Sequence, residues 1–444
     1  MILPTQAAAV LLPFAPAFTA PSFERFLLLA LSALLTTGRR TVANLLRALG
    51  ALAPGHRTSY QRLLSAARWS GLRLACVLCR LVLRMLPAGR PVVLVGGDTV
   101  DGHKGKKVYG KARHRDPVRS THSYTAWRYG HKWVVLGVLV HFPFAKRPWA
   151  LPVLADLYRS EQDDRRLGRP HRTPAQLMCR LLAVLLRRFP SRRFVFVGDA
   201  GYGTREVARF CHARRDRLSL VSKLHPDANL VEPPPPYAGK GRPRVTGAAL
   251  PKPRQAAACA RRRRAVVRWY GGGTRRVSVV SGAGHWYKSG HGLVPVRRVC
   301  VRDLDGTHRD EYLYSTDPSY SPEAVIGHYA WRWNIETTFQ ELRAHLGLET
   351  TRGWCRRTVL RAAPGLFGLY SVAALLFAAL PEAERSGPVR WPGKAVVTFS
   401  DALSAVRLWL WSSWVFPQAA GGTAIQQLPE PLQALVFSAL APAA

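Results

Sequence analysis

The chain has 444 residues, 48% of them hydrophobic, with 65 lysines and arginines against 26 acids for a formal charge of +39. That apolar content excludes a disordered chain, and the length allows two or three domains. The positive surplus, 54 arginines and 11 lysines, predicts nucleic acid as the partner, because the guanidinium forks onto phosphate.

Residues 1–90 read as a succession of helices. Ser22 is placed to cap SFERFLLLALSALL, Thr41 caps TVANLLRALG up to Gly50, and Ser59 opens SYQRLLSAARW. Two short helices around a Gly/Pro connection suggest a helix-turn-helix. The region carries eleven arginines and one acid, Glu24, so it is expected to be a helical DNA-binding domain. Cys76 and Cys79 lie in an apolar helical run with no second pair. The seven cysteines, an odd number, therefore read as core residues of a reduced cytosolic protein. Residues 7–20 lack the preceding basic residue of a secretion signal, and 365–380 are too short and glycine-rich for a membrane span. No membrane association is expected.

From residue 91 the hydrophobic period changes. PVVLVGGD (91–98), HKWVVLGVLVHF (131–142) and RPWALPVLAD (147–156) read as strands. A helix capped by Thr173 follows, then the strand RFVFVGD (193–199), a helix over 204–215 and a strand over 217–224. This order predicts an RNase H-like α/β domain, a mixed sheet with flanking helices. Its first part spans 91–224 and its second 297–380. Between them, residues 225–296 hold PPPP, GKGRPR, a run of four arginines and strand-like pieces, which predict a β-rich insertion. Ser321-Pro322-Glu323 starts a helix, and 358–380 reads as an apolar helix packed on the sheet. The Trp-rich tail, 381–444, has no assigned role.

Asp98 and Asp199 end two apolar strands in this reading, and neighbouring strands would bring their carboxylates within about 5 Å. A third acid lies in YAWRWNIETTFQELR (329–343). On a helix, Tyr329, Arg332, Glu336, Gln340 and Arg343 share an arc of roughly 80°. Glu336 would join the two aspartates. Three close carboxylates repel unless a cation compensates, and an all-oxygen set suits two Mg²⁺ or Mn²⁺ ions for phosphodiester chemistry. The basic segment KGKKVYGKARHRD (104–116) follows the first strand, and Lys104, Lys106, Lys107 and Lys111 are placed to meet a DNA backbone. Asp101 reads as a supporting or solvated acid, and no histidine shows a metal-ligand spacing.

GGDT (96–99), GDAGYG (198–203) and Tyr329-x₂-Arg332-x₃-Glu336-x₆-Arg343 together resemble the DDE transposases of the IS4-like group, close to its IS701-type members. Arg343 stands where lysine is usual, which keeps the charge. The resemblance covers roughly residues 22–380. It implies metal ligation by Asp98, Asp199 and Glu336, and phosphate contacts from Tyr329, Arg332 and Arg343. Trp269 or Trp286 would stack on a flipped base. The implied activity is cleavage of double-stranded DNA at transposon ends and insertion into a target, by a homodimer on DNA. A DNA-binding descendant without catalysis, and a structure-specific nuclease on the same fold, are the alternatives.

Overall fold

The computed structural model describes residues 3–116, 120–237, 239, 241–290, 292–385, 394, 396–418, 425 and 427–442. Five helices come first: α1 (Thr5–Leu11), α2 (Ala20–Leu35), α3 (Val42–Leu49), α4 (Arg57–Ser65) and α5 (Gly71–Arg84). Thr41 caps α3 by accepting from the Asn44 N–H, and Gly50 stops it with φ 53°. α2 starts earlier than its sequence suggests, at Ala20 behind Thr19, and α4 starts behind His56 rather than Ser59. Pro21 accounts for the first shift, since proline suits the opening turn of a helix.

The strands β1 (Val92–Gly102), β2 (Ala112–Arg115), β3 (Trp127–Val140) and β4 (Trp149–Tyr158) follow. Next come α6 (Glu161–Arg166), α7 (Pro174–Arg188), β5 (Phe194–Val197), α8 (Arg205–His212) and β6 (Leu218–Lys223). Thr173 and Gln176 form a reciprocal capping box on α7. The core sheet runs β4-β3-β1-β5-β6, with β1, β5 and β6 parallel and β3 antiparallel to both of its neighbours. This is the RNase H-like order that the element sequence predicts.

The segment expected as a β-rich insertion is joined to the core sheet. It contributes α9 (Pro253–Cys259), β7 (Arg263–Arg268) and β8 (Thr274–Lys288), and β9 (Gly292–Asp303) and β10 (Glu311–Ser315) follow. These strands add to the same sheet in the order β6-β10-β9-β8-β7. The long β8–β9 hairpin supplies unbroken ladder bonds from Val277 to Lys288, and β10 pairs with β6. Its edge therefore prolongs the core sheet.

Two helices, α10 (Pro322–Trp331) and α11 (Trp333–His345), lead to the long α12 (Arg356–Ala379). Among the described residues α12 is the one helix long and apolar enough to cross a membrane, and 67% of its most apolar window is buried. It packs on β4, α1, α4, α5 and α14 (Phe399–Leu410), the helix after the short α13 (Glu382–Arg385). The Ser371 hydroxyl donates to the Pro152 carbonyl at 2.7 Å. The Trp-rich tail extends α14 through a π-helical turn, Trp411–Val415, and buries Trp409, Trp411 and Trp414. Buried Arg407 binds the carbonyls of Leu34 (2.8 Å) and His345 (3.3 Å), tying the ends of α2 and α11 to α14. The amino-terminal helices and the tail thus share one apolar core with the sheet.

Candidate active site

Asp98 lies inside β1, not at its end. β1 pairs with β5 only as far as Val95↔Val197, while its pairing with β3 continues through Asp98↔Val134 to Gly102↔Gly130. Past Val95, one side of β1 is therefore open. Asp199 faces that opening from the turn after β5. Its Oδ1 accepts from the Gly201 N–H (2.9 Å) and the Tyr202 N–H (3.3 Å), an Asx-type turn. The Ser222 hydroxyl bonds the carbonyls of Gly198 and Asp199. A Cβ at Gly203 would stand 2.7 Å from the Lys223 carbonyl, so the turn requires glycine there.

Glu336 arrives on α11, which lies directly on the sheet. A Cβ at Gly97 would meet Ile335 and Phe339 at 3.1 Å, and one at Gly137 would meet Ile335 at 3.3 Å. These two glycines let the helix backbone approach. Thr338 fixes its height by donating to the Ala150 carbonyl of β4 at 2.9 Å. The break between α10 and α11 is slight. Arg332 keeps helical dihedrals (φ −54°, ψ −35°), and tightened bonds join Arg332 N–H to the Tyr329 carbonyl and Ile335 N–H to the Arg332 carbonyl. Tyr329, Arg332 and Glu336 consequently stay on one face. Arg332 Nη1 donates to Glu336 Oε1 at 3.0 Å, and its guanidinium lies 5.9 Å from the Tyr329 ring.

One phenol reports on all three acids. Tyr202 is 1% exposed, and its hydroxyl sits 3.5 Å from Asp98 Oδ1. Burial, then Asp98, Asp199 and Glu336, push its pKa well above the ordinary tyrosine value. The Glu336 carboxyl is likewise raised, first by burial and further by Asp199 and Asp98, against the lowering pull of Arg332. Two cations answer this concentration of charge. Lys132 Nζ lies 2.8 Å from Asp98 Oδ2, and Arg332 holds Glu336.

The donor set fits a hard divalent cation. It is all oxygen, its side chains at Asp98 and Glu336 are 29% and 34% exposed, and ammonium and guanidinium groups already sit where positive charge is needed. Asp98, Asp199 and Glu336 would hold such ions. When bound, these would activate water or a hydroxyl and stabilise a leaving oxygen at phosphorus.

The other residues that the sequence singles out are placed unevenly. Arg343 binds Thr99 Oγ1, Glu349 Oε1 (3.0 Å) and the Phe339 carbonyl (3.3 Å), so it clamps α11 to β1. Tyr329 is 3% exposed beneath Lys223 and Arg332, enclosed rather than offered to a phosphate. Lys104, Lys106 and Lys107 are exposed on the loop after β1, and Lys111 is half-buried with its ammonium on the Gly105 carbonyl. Trp269 and Trp286 are buried, at 9% and 7% exposure, so neither ring offers a face to stack a base upon. Both are core tryptophans. Open aromatic rings stand elsewhere, on β3: Trp127 (51% exposed) beneath Arg113 and Tyr129 (58% exposed) beside Lys111. Asp101 is not solvated but fully buried. Strand alternation puts it on the opposite face from Asp98.

Lys132 and Tyr202 are the site residues that sequence reasoning misses. Tyr202 lies within GDAGYG, but only the turn geometry reveals that its ring folds back under Asp98. Lys132 reaches Asp98 diagonally across the β1–β3 ladder, a register that no local spacing encodes.

Residues 13–276, more than half of the chain, match the family described as DDE superfamily endonuclease. The match contains Asp98 and Asp199, and Glu336 lies beyond it. None of the curated proteins compared matches the sequence. Among solved structures, the cryo-EM structure of a piggyBac transposase synaptic complex with hairpin DNA aligns over 98% of this chain and 81% of its own. The identity is 12% and the TM-score 0.41.

Proposed function

The chain belongs to the DDE superfamily endonucleases, and from that premise we propose that it is the transposase of an IS4-like, IS701-type insertion sequence. It cuts double-stranded DNA at the ends of its element with Mg²⁺ or Mn²⁺ and joins those ends to a target. What supports this reading is that the buried Tyr202 hydroxyl meets Asp98 and that Asp199 and Glu336 lie near enough to act on it electrostatically. In this mechanism Tyr202 fixes the position of Asp98. Lys132 and Arg332 neutralise their carboxylates while the site is unloaded and become available to phosphate oxygens once it is loaded. Arg343 holds α11 against β1 through Thr99, keeping Glu336 in register with Asp98. Paired cutting of two ends calls for a homodimer on DNA.

Incubating the purified protein and Mg²⁺ with a plasmid carrying the DNA that flanks its gene tests the proposal. Cleavage at the element boundary, followed by covalent joining to a second plasmid, is the expected result. Cutting without joining would leave only the nuclease. Tight binding without cutting would leave only a DNA-binding descendant.

Two further outcomes are expected at this site. Tyr202→Phe retains the ring packed on Phe196 and loses one hydroxyl. Single-turnover cleavage should slow about tenfold, the worth of one hydrogen bond near 1.4 kcal/mol, with little change in melting temperature. An unchanged rate would remove Tyr202 from the mechanism. The Trp127 and Tyr129 rings, interleaved with Arg113 and Lys111, form a stacking and phosphate surface. Trp127→Ala with Tyr129→Ala should weaken DNA binding by about 1–3 kcal/mol per ring, measured by fluorescence anisotropy at fixed salt. Unaltered affinity would place the DNA elsewhere.

A further inference from the structure

On the face of the sheet opposite Asp98, three donor groups meet that the carboxylate site does not use. Asp101 of β1 pairs directly with His131 of β3. His103, two residues beyond Asp101, falls on the same side by strand alternation. One donor atom from each lies within 4.8 Å of the other two.

The Asp101 carboxylate is fully buried, and no hydrogen bond of full geometry reaches either oxygen; its two polar neighbours are His103 and the Trp133 indole N–H, which is itself buried without a close partner. Its nearest cationic candidate, His103 Nε2, stands 3.7 Å away. A buried charge left in this condition is costly unless something binds it. His131 is 1% exposed, and its Nε2 lies 2.9 Å from the Tyr109 carbonyl. A carbonyl can only accept, so Nε2 carries the proton and Nδ1 keeps a bare lone pair. That Nδ1 is buried without a partner. An imidazole with one nitrogen anchored to a carbonyl and the other free is the arrangement that metal-ligating histidines adopt. The His103 ring meets the His131 ring edge-on at 4.6 Å.

We propose that Asp101, His103 and His131 form a binding site for a borderline divalent transition metal, zinc by preference, separate from the carboxylate cluster. Two imidazole nitrogens and a carboxylate select zinc over magnesium. A metal held there ties β1 to β3 and anchors the start of the basic Lys104–Lys111 loop. It also neutralises the one fully buried carboxylate close to Asp98 in sequence. A protonated His103 paired with Asp101 is the rival arrangement. It satisfies one oxygen and leaves His131 Nδ1 unpartnered.

The full-length protein, stripped with chelator, reloaded with zinc and gel-filtered in excess Mg²⁺, provides the test by elemental analysis. About one zinc per chain should be retained. Asp101→Asn and His131→Ala should each lower zinc affinity at least about tenfold, while Glu336→Gln retains it. Cobalt loading should give the visible spectrum of nitrogen and oxygen ligation without a thiolate charge-transfer band, which separates this site from the free cysteines. Asp101→Asn, nearly isosteric, also discriminates by stability. In metal-free buffer it should melt at or above the wild type, because it removes the charge of a carboxylate buried at 0% exposure. Failure of the wild type to retain zinc, retention by both site variants, or a lowered metal-free melting point for Asp101→Asn would overturn the proposal in favour of the ion pair.

Discussion

Glu336→Gln should fold, bind DNA and cut it at least about 10³-fold more slowly, because one ligand of a metal-assisted phosphoryl transfer is worth several kcal/mol in the transition state. The same variant should melt higher than the wild type in metal-free buffer at neutral pH. Burial raises the Glu336 pKa above its ordinary 4.5, and Asp199 and Asp98 raise it further, more than Arg332 lowers it. A carboxyl whose folded pKa is raised gives its full stability below the unfolded pKa and loses it as pH rises through the folded pKa. At neutral pH the wild type therefore carries a penalty that glutamine lacks, and below about pH 4 the difference should vanish. Added Mg²⁺ should reverse the order, since it stabilises only a chain that binds it. Calorimetry at acid and neutral pH, with EDTA or Mg²⁺, reads every sign. Equal stabilisation of both proteins by Mg²⁺ would remove Glu336 from the metal site, and a near-normal cutting rate would remove it from the chemistry.

How much of this site is legible beforehand depends on whether the signal is local. The caps at Thr41, Thr173 and Ser321 are local hydrogen bonds written in three or four residues, and they are where the sequence places them. The alternation of strands and helices from 91 to 224 is equally local, so the RNase H-like order could be read. The helical arc from Tyr329 to Arg343 survives because Arg332 stays in the helical region. What could not be read is register. Asp98 looked like a strand end because its apolar run stops there, but β3 carries the ladder on to Gly102. Asp101, His103 and His131 have no motif spacing, since nearly thirty residues separate two strands that meet side by side. Trp269 and Trp286 have the composition of stacking rings, and only packing shows that they are enclosed. The Trp-rich tail gave no periodic signal to interpret because a π-helical turn interrupts it.

Register also sets the largest stability effect expected of a single methyl group. Gly130 lies where β3 faces β1 through Gly102 and β2 through Ala112. A Cβ there would stand 2.0 Å from the Asp101 carbonyl oxygen and 3.0 Å from the Gly102 Cα. Both obstacles are backbone, so no side-chain rotation relieves them and the ladder itself must part. Gly130→Ala should destabilise the protein by about 3 kcal/mol. Gly365→Ala is the matched control, an exposed interior position of α12 whose added methyl meets nothing within 4 Å. There the same chemical change should stabilise by about 0.5–1 kcal/mol, because alanine loses less backbone entropy than glycine in a helix. Urea unfolding of both variants measures the opposed signs. Because the displaced segment of β1 holds Asp101 and lies three residues past Asp98, Gly130→Ala should also impair zinc retention and slow DNA cutting below its own unfolding transition. If it unfolds early yet cuts normally while folded, β1 has absorbed the methyl group between Asp98 and Asp101, and the two sites are mechanically independent.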